Sequence, residues 1–250
     1  MFRDKLFYYL ANYTLQHSFE KEIIKLLKNE KKLIIFDVGC YRGIFVKTIL
    51  KLIKRKKYKF YLFDINKNVK SYIINLLKLR NIYYNEIALS NKNGVANYNY
   101  NRFFESAGSS LSSIVKNDAR WNFSRKLILK ILLFRPKSFV KHQVPTITLD
   151  SFLKKNKIKS IEILKIDIEG SEYDLLKGAK TALKKNKIKI ILIEIIDKKN
   201  LYDKKEKKIL NLLEKRNFIL KKKANILSIS LFSNIKGGDY LFVNNKYFKQ

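Results

Sequence analysis

Three acidic residues stand where a run of branched or aromatic side chains gives way to a turn. Asp37 follows Leu33-Ile34-Ile35-Phe36 and heads the stretch Asp37-Val-Gly39-Cys-Tyr-Arg-Gly43. A glycine turn between a strand and a helix lets backbone approach a ligand closely, beside the positive end of the helix. The turn is neither Gly-x-Gly-x-x-Gly nor a phosphate loop ending in Gly-Lys-Ser/Thr. Its acid suits a cationic or amine-bearing ligand better than a pyrophosphate. Asp64 closes Lys59-Phe-Tyr-Leu-Phe-Asp64, 25 residues beyond Gly39. In doubly wound sheets an acid ~20 residues past the glycine turn accepts hydrogen bonds from ribose hydroxyls; the plainer alternative is a cap on the next helix. The two acids together indicate an adenosine-bearing ligand that also carries positive charge. S-adenosylmethionine has both a ribose and an ammonium and fits better than a dinucleotide.

Asp167 ends Ile161-Glu-Ile-Leu-Lys-Ile-Asp167 and precedes Glu169-Gly170-Ser-Glu172. Open α/β sheets bind ligands at the carboxyl edge of the strands, where an acid can orient an attacking hydroxyl or take its proton. Glu194, at the end of Ile188–Ile195, is expected to face the same cleft. Glu169 either complements a helix dipole or only shapes its turn. Asp167, Glu169 and Glu194 could hold a hard divalent cation through oxygens, a secondary option. His142 is a further candidate base, against the blander reading of an incidental surface histidine. Cys40 reads as a small turn residue, not a nucleophile.

These residues need a frame. Leu33–Gly39, Lys59–Asp64 and Ile82–Leu89 read as strands, and residues 43–55 and 69–79 as helices. Strand and helix thus alternate twice in the first ninety residues, the signature of a parallel sheet with crossover helices. The pattern breaks from about 91 to 145, through a turn at Asn91–Gly94, an alternating edge-strand candidate Val95–Asn101 and a small polar loop Ser106–Ser113. It resumes with helix Leu149–Leu153, strand Ile161–Asp167, helix Glu172–Leu183, strand Ile188–Ile195, helix Lys204–Lys215, strand Phe218–Leu220 and a return strand over Gly238–Asn245. Residues 2–30 repeat apolar side chains at helical spacing. The organisation expected is an N-terminal helical extension over 1–30 and one domain over 31–250, with an insertion at about 105–145.

One block is more specific than the rest. Thr148-Leu149-Asp150 is followed by Leu164-Lys165-Ile166-Asp167, Glu169-Gly170, Glu172 and Leu176-Lys177-Gly178-Ala179. This resembles the FkbM-type methyltransferases. Asp37-Val-Gly39 and Gly43 look like that family's cofactor turn, and Ala88-Leu89-Ser90, Asn93-Gly94 and Gly108-Ser-Ser-Leu111 match its intermediate blocks. Asp239-Tyr-Leu-Phe-Val243 fits its last strand. Phe63-Asp64 stands where the family usually has Phe-Glu-Pro, with Asp for Glu and no proline. The resemblance implies a doubly wound, Rossmann-like α/β sheet of the class I methyltransferase type, with one antiparallel C-terminal strand. It implies O-methylation from S-adenosylmethionine onto a hydroxyl of a sugar, glycan or other small polar metabolite. On this reading Gly39 and Gly43 shape the cofactor pocket and Asp64 holds the ribose. Asp37 faces the methionine end, Ala88 lies near the adenine, and Asp167, Glu194 and His142 are the candidate catalytic groups.

The 250 residues carry 54 Lys+Arg against 21 Asp+Glu, a formal net charge of +33. Only nine of the cations are arginine, whereas nucleic-acid recognition favours the planar arginine fork. Lysine, asparagine, isoleucine, tyrosine and phenylalanine are all abundant, as AT-rich codon usage produces. An RNA 2′-O-methyltransferase is therefore kept as an alternative, and so is a non-catalytic membrane-surface or glycan-binding protein on the same fold. One cysteine and two histidines exclude a disulfide scaffold and a Cys-based zinc site. With no secretory pattern and no run near the ~20 apolar residues of a membrane span, the expected compartment is the cytoplasm. The basic, apolar stretch Arg125–Lys137 is a candidate for peripheral contact at the inner membrane face or for a substrate lid; packing over the sheet edge is its alternative.

Overall fold

The computed structural model describes residues 17–53, 57–101, 110–111, 139–198, 205–225 and 235–248. The basic Arg125–Arg135 stretch, the Ser106–Gly108 part of the polar loop and the first sixteen residues lie outside them.

The central sheet has seven strands: β1 (Lys32–Val38), β2 (Lys57–Phe63), β3 (Ile82–Asn85), β8 (Ile161–Ile166), β9 (Ile188–Lys198), β10 (Phe218–Asn225) and β11 (Ile235–Asn244). Their order is β10-β11-β9-β8-β1-β2-β3, with β11 antiparallel to both neighbours and the other pairings parallel. This is the doubly wound sheet with one antiparallel C-terminal strand, and β1 sits in its middle. Strand order reverses beside β1, where such sheets open a crevice for ligands.

Alternation along the strands makes two cores. Leu33, Ile35, Phe60, Leu62, Ile163, Ile190, Leu192, Leu241 and Val243 point to one face. There α1 (His17–Leu26) and α2 (Ile44–Leu52) cover them with Phe19, Ile23, Val46 and Ile49. Phe36, Val38, Leu164, Ile166, Ile191, Ile193 and Phe242 point to the other. That face is covered by α5 (Leu149–Lys155), α6 (Glu172–Gly178), α7 (Lys180–Lys184) and α8 (Lys205–Glu214). The apolar run of each central strand follows from burial on both faces.

Three expected elements are divided. The run Ile82–Leu89 ends as β3 at Asn85, whose side-chain amide donates to the Leu62 and Tyr83 carbonyls. The chain then leaves the sheet, and Ala88–Leu89 becomes β4 of a second one. That sheet has the order β4-β7-β5-β6, with β5 (Gly94–Asn101), β6 (Ser110–Leu111) and β7 (Phe139–Ile147). The expected helix 69–79 becomes α3 (Val69–Tyr72) and α4 (Ile74–Leu77), parted at Ile73. The expected helix 172–183 is parted at Ala179.

The break at Ala179 has a visible cause. Asp150 accepts hydrogen bonds from the amides of Thr181 (2.7 Å) and Ala182 (2.8 Å), so it supplies the start of α7 with acceptors from another helix. Thr148 caps α5 by accepting from the Ser151 amide, and Asn93 Oδ1 accepts from the Thr148 amide at 2.8 Å. At Gly178 a Cβ would stand 2.0 Å from the Ser90 carbonyl oxygen. Ser90, Asn93, Thr148, Asp150 and Gly178 thus knit the second sheet to the helical layer. Asp150→Ala is expected to cost about 1 kcal/mol, the usual cost of a lost cap, read as a lowered thermal midpoint with the far-ultraviolet spectrum unchanged.

Candidate active site

The carboxyl ends of β1, β2 and β8 bring Asp37, Asp64 and Asp167 to one edge of the sheet. Asp37 is fully buried, and its Oδ1 lies 3.4 Å from Lys165 Nζ. Lys165 is the in-register neighbour of Asp37 on β8, and its Nζ lies 3.1 Å from Asp167 Oδ2. One ammonium therefore bridges two acids. Among the described residues neither Asp37 oxygen receives a hydrogen bond of good geometry. Burial raises the Asp37 carboxyl. Burial also works against the Lys165 charge, but Asp167, Asp37 and Glu194 outweigh it and hold the ammonium above its ordinary value.

Asp167 is the most open of these three, with a third of its side chain exposed. Burial pushes its carboxyl upward, yet Lys165 and a hydrogen bond from Glu194 prevail and hold it below its ordinary value. Glu194 goes the other way: burial, then the negative charge of Asp167, raise it well above the usual carboxylate range. Burial and their mutual interaction thus drive the two carboxyls apart, Asp167 downward and Glu194 upward. Glu194 is not at the strand's end as expected. Parallel pairing with β8 stops at Ile193, but β11 continues the pairing of β9 to Lys198 and sets Asp239 opposite Glu194.

The glycine turn reaches over this edge. Gly39 has φ +83°, and its amide donates to the Phe63 carbonyl. Tyr41 carries φ +40°, and its amide donates to Asp64 Oδ2 at 3.0 Å. The Asn66 amide donates to Asp64 Oδ1 at the same distance. The amides of Tyr41, Asn66 and Ile65 thus all bear on the Asp64 carboxylate, whose two oxygens offer about four lone-pair sites. Burial nevertheless raises this carboxyl. Gly43, at φ +67°, begins α2 and presents its bare side to Leu76 and Ile73. Cys40 is buried, and burial followed by Asp37 and Asp64 pushes its thiol up, which suits a packing residue.

Beside Asp64 lies a cavity of about 260 Å³. Its lining includes Ile65, Asn66, Asn68, Glu86, His142 and Val144. Ile65, Ala88 and Val144 form one apolar cluster at its side. His142 is on β7, exposed and opposite Tyr98. The structure therefore sets it in the wall of the cavity, whose lining does not include Asp37, Lys165, Asp167 or Glu194.

A family model described as "Methyltransferase FkbM domain" matches residues 37–220. The chain belongs to the FkbM methyltransferase family. No curated protein matches the sequence. Among solved structures, the FkbM-family chain is similar to the methyltransferase FkbM from Methylobacillus flagellatus, at 12% identity and a TM-score of 0.48. That likeness covers 84% of this chain and 44% of the other, so this chain spans less than half of that protein's length. It is also similar to the N-methyltransferase NodS from Bradyrhizobium japonicum, at 7% identity, a TM-score of 0.44, and 92% and 96% coverage. A third similarity is to Aeropyrum pernix fibrillarin with natively bound S-adenosyl-L-methionine, at 11% identity, a TM-score of 0.42, and 86% and 67% coverage.

The family is one of methyltransferases, and the residues of this chain fit S-adenosylmethionine as a cofactor. Asp64 keeps acceptor capacity for ribose hydroxyls, and the adjoining cavity has an apolar side and an amide-bearing rim suited to a purine. Asp37 gives the glycine turn a buried negative charge, though Lys165 shares it. Among the described residues no group of three or more His, Cys, Asp or Glu side chains is arranged to hold a metal ion. Asp167, Glu169 and Glu194 are not so arranged, and Glu169 sits at φ +50° in the turn before α6.

The sequence reading quoted Lys165 and Asp239 without giving them work, and it passed over Glu20. The first was legible: Lys165 is two residues before Asp167, on the same face of β8. Asp239 lies two residues before Leu241 on the same alternation. Glu20 lies on α1, buried to 3% exposure. Burial is the main cause that raises Glu20 to about 7 and Asp239 to about 6. A carboxyl raised in the fold binds a proton that the unfolded chain has already released. Its stabilisation is complete below the unfolded value and declines as pH rises through the folded one. Stability is therefore expected to fall between the ordinary Glu value of 4.5 and about 7. Glu20→Gln should flatten that slope by about 3 kcal/mol at most, measured as urea midpoints from pH 4 to 8.

Proposed function

We propose that the enzyme transfers a methyl group to a hydroxyl of a sugar, glycan or other small polar metabolite, with Asp167 receiving the hydroxyl proton. The observation that supports this is the position of Asp167: part-exposed at the carboxyl edge of the sheet, 3.1 Å from the Lys165 ammonium, and one step beyond the β8–β9 pairing that brings Glu194 alongside. S-adenosylmethionine, when bound, supplies an electrophilic methyl on a sulfonium. Asp64 would accept from the ribose hydroxyls, Ala88 and Ile65 would flank the adenine, and Gly39 and Gly43 would shape the turn. Asp37, enclosed and paired with Lys165, acts by fixing the ammonium.

A carboxylate held below its ordinary value is a weak base. Asp167 therefore first orients the hydroxyl by accepting its hydrogen bond. It takes the proton only as the new carbon–oxygen bond makes that hydroxyl acidic. Lys165 keeps Asp167 anionic until then. Glu194 fixes the carboxylate's direction by donating to it. His142, on the cavity wall, is left outside the proton path.

The test is transfer of radiolabelled methyl groups from the cofactor to fractionated glycan, lipid, small-molecule and RNA pools. Label on hydroxyls of sugars or small metabolites is expected. Label confined to RNA, surviving moderate salt, would replace this reading by the 2′-O alternative. Cofactor binding with no transfer to any pool would favour the non-catalytic one. Among the described residues no helix is long and apolar enough to cross a membrane. We propose a cytoplasmic enzyme whose Arg125–Arg135 stretch touches the inner membrane face, a contact that flotation on anionic liposomes would detect.

A further inference from the structure

The face that carries α1 and α2 has apolar columns that end in charge. Leu33 and Ile35 lead to Asp37 on β1. Ile163 leads to Lys165 and Asp167 on β8, and Ile190 and Leu192 to Glu194 on β9. On β11, running the other way, Val243 and Leu241 lead to Asp239. Period-two alternation puts these groups in one row across four neighbouring strands. Helix α1 packs over the same face through Phe19 and Ile23, with Leu27 just beyond its end, and Glu20, next to Phe19, is buried with them. Lys165 and Asp239 both act on its charge.

Glu20 Oε2 is buried and, among the described residues, has no hydrogen-bond partner. Among the described residues the cation acting on the row is Lys165, and its ammonium is engaged by Asp37 and Asp167. Among those residues acids therefore outnumber cations in the row, in a chain where Lys+Arg exceed Asp+Glu by 54 to 21. A buried carboxylate oxygen without a donor is costly to keep. A neutral polyol would supply donors but leave the excess charge. A protonated amine supplies three donors and the charge together.

We infer that Glu20 is an acceptor-recognition residue, and that the acceptor it fits carries a protonated amine near its reacting hydroxyl, as an amino sugar or amino alcohol does. This rests on the hydroxyl-methylation reading above. Glu20 lies outside the matched segment 37–220 and outside the family blocks quoted above, so family membership does not supply it. An acceptor bearing phosphate or carboxylate is repelled by this row even though the chain as a whole attracts anions.

The test uses the full chain at pH 8 with methyl-labelled S-adenosylmethionine. The acceptors are glucosamine, galactosamine and serinol, each against its N-acetylated counterpart, with the methylated atom identified by fragmentation. N-acetylation removes the charge and keeps the hydroxyls. The amine forms are expected to be preferred by about tenfold or more in kcat/KM, the scale of a charge-assisted hydrogen bond. Glu20→Gln should erase that preference while S-adenosylhomocysteine affinity stays unchanged, a split that a merely structural role would not produce. Asp239→Asn, which leaves α1 intact, should reduce the same preference if Glu20→Gln does not fold. Equal use of the neutral forms, a preference that survives Glu20→Gln, or no O-methylation of any amine overturns the inference. Label on neutral hydroxyls alone overturns it and leaves hydroxyl methylation standing. Label on no hydroxyl in any pool overturns both.

Discussion

Replacing Asp167 with Asn lowers the methyl-transfer rate by about 10²–10⁴-fold, the range lost with a positioned proton acceptor, and leaves S-adenosylhomocysteine affinity nearly unchanged. Asn matches the carboxylate in shape, so the turn above it keeps its support. Lys165 retains Asp37 at 3.4 Å and the fold keeps its bridge. What disappears is the anion that orients the hydroxyl and receives its proton. Single-turnover rates with labelled cofactor measure the loss, and calorimetry with the product measures binding. A variant within twofold of wild type would remove Asp167 from the proton path, because no second acceptor is so exposed and so paired among the described residues. Burial and the negative charge of Asp167 both raise Glu194. Without that charge Glu194 ionises more readily, so residual activity in the variant should rise with pH.

Gly39→Ala is expected to destabilise the fold by about 4 kcal/mol or more, adding backbone strain to overpacking. The residue sits at φ +83°, a region that side-chain-bearing residues rarely adopt. A Cβ there would stand 1.8 Å from the Asp167 carbonyl oxygen and 2.8 Å from its carbonyl carbon. Both are backbone atoms, so no rotamer change relieves the overlap. Either the turn lifts from β8 or the end of β8 retreats. Chemical unfolding should show a lowered midpoint, and cofactor affinity should fall with it. Wild-type stability in this variant would mean that the turn and strand end are farther apart than described. Gly43→Ala is milder in contact, since the nearest atom, at 2.5 Å, is the end of the Leu76 side chain.

The sheet was readable because its strands are buried on both faces, which leaves unbroken apolar runs at Leu33–Phe36 and Ile190–Ile193. The same property misled at Ile82–Leu89. There Asn85 stops β3 by turning its side chain back onto the Leu62 carbonyl, a tertiary contact that periodicity does not carry. Helix 172–183 looked continuous because its break depends on Asp150, a residue from another helix. The family block proved to be of two kinds. Asp37, Gly39, Asp64, Lys165 and Asp167 form the sheet edge, whereas Thr148, Asp150, Asn93 and Gly178 hold layers together. Sequence alone ranks these together, since a motif gives residue types and spacing but not the contacts each residue makes. Glu20 was hidden for a different reason: one acid on an amphipathic helix looks like a solvated face until the helix is docked.

The row of charges that ends the apolar columns ties catalysis to the correctness of strand pairing. A slip of one residue in β9 would bring Ile193 or Ile195 to the place of Glu194 and turn the carboxyl into the opposite core. Side chains alternate with period two, so no half-correct arrangement exists. A misregistered molecule could keep much of its secondary structure and still be inactive. In a refolding experiment, recovered methyl transfer would therefore count correctly threaded molecules, while circular dichroism would count all that had condensed.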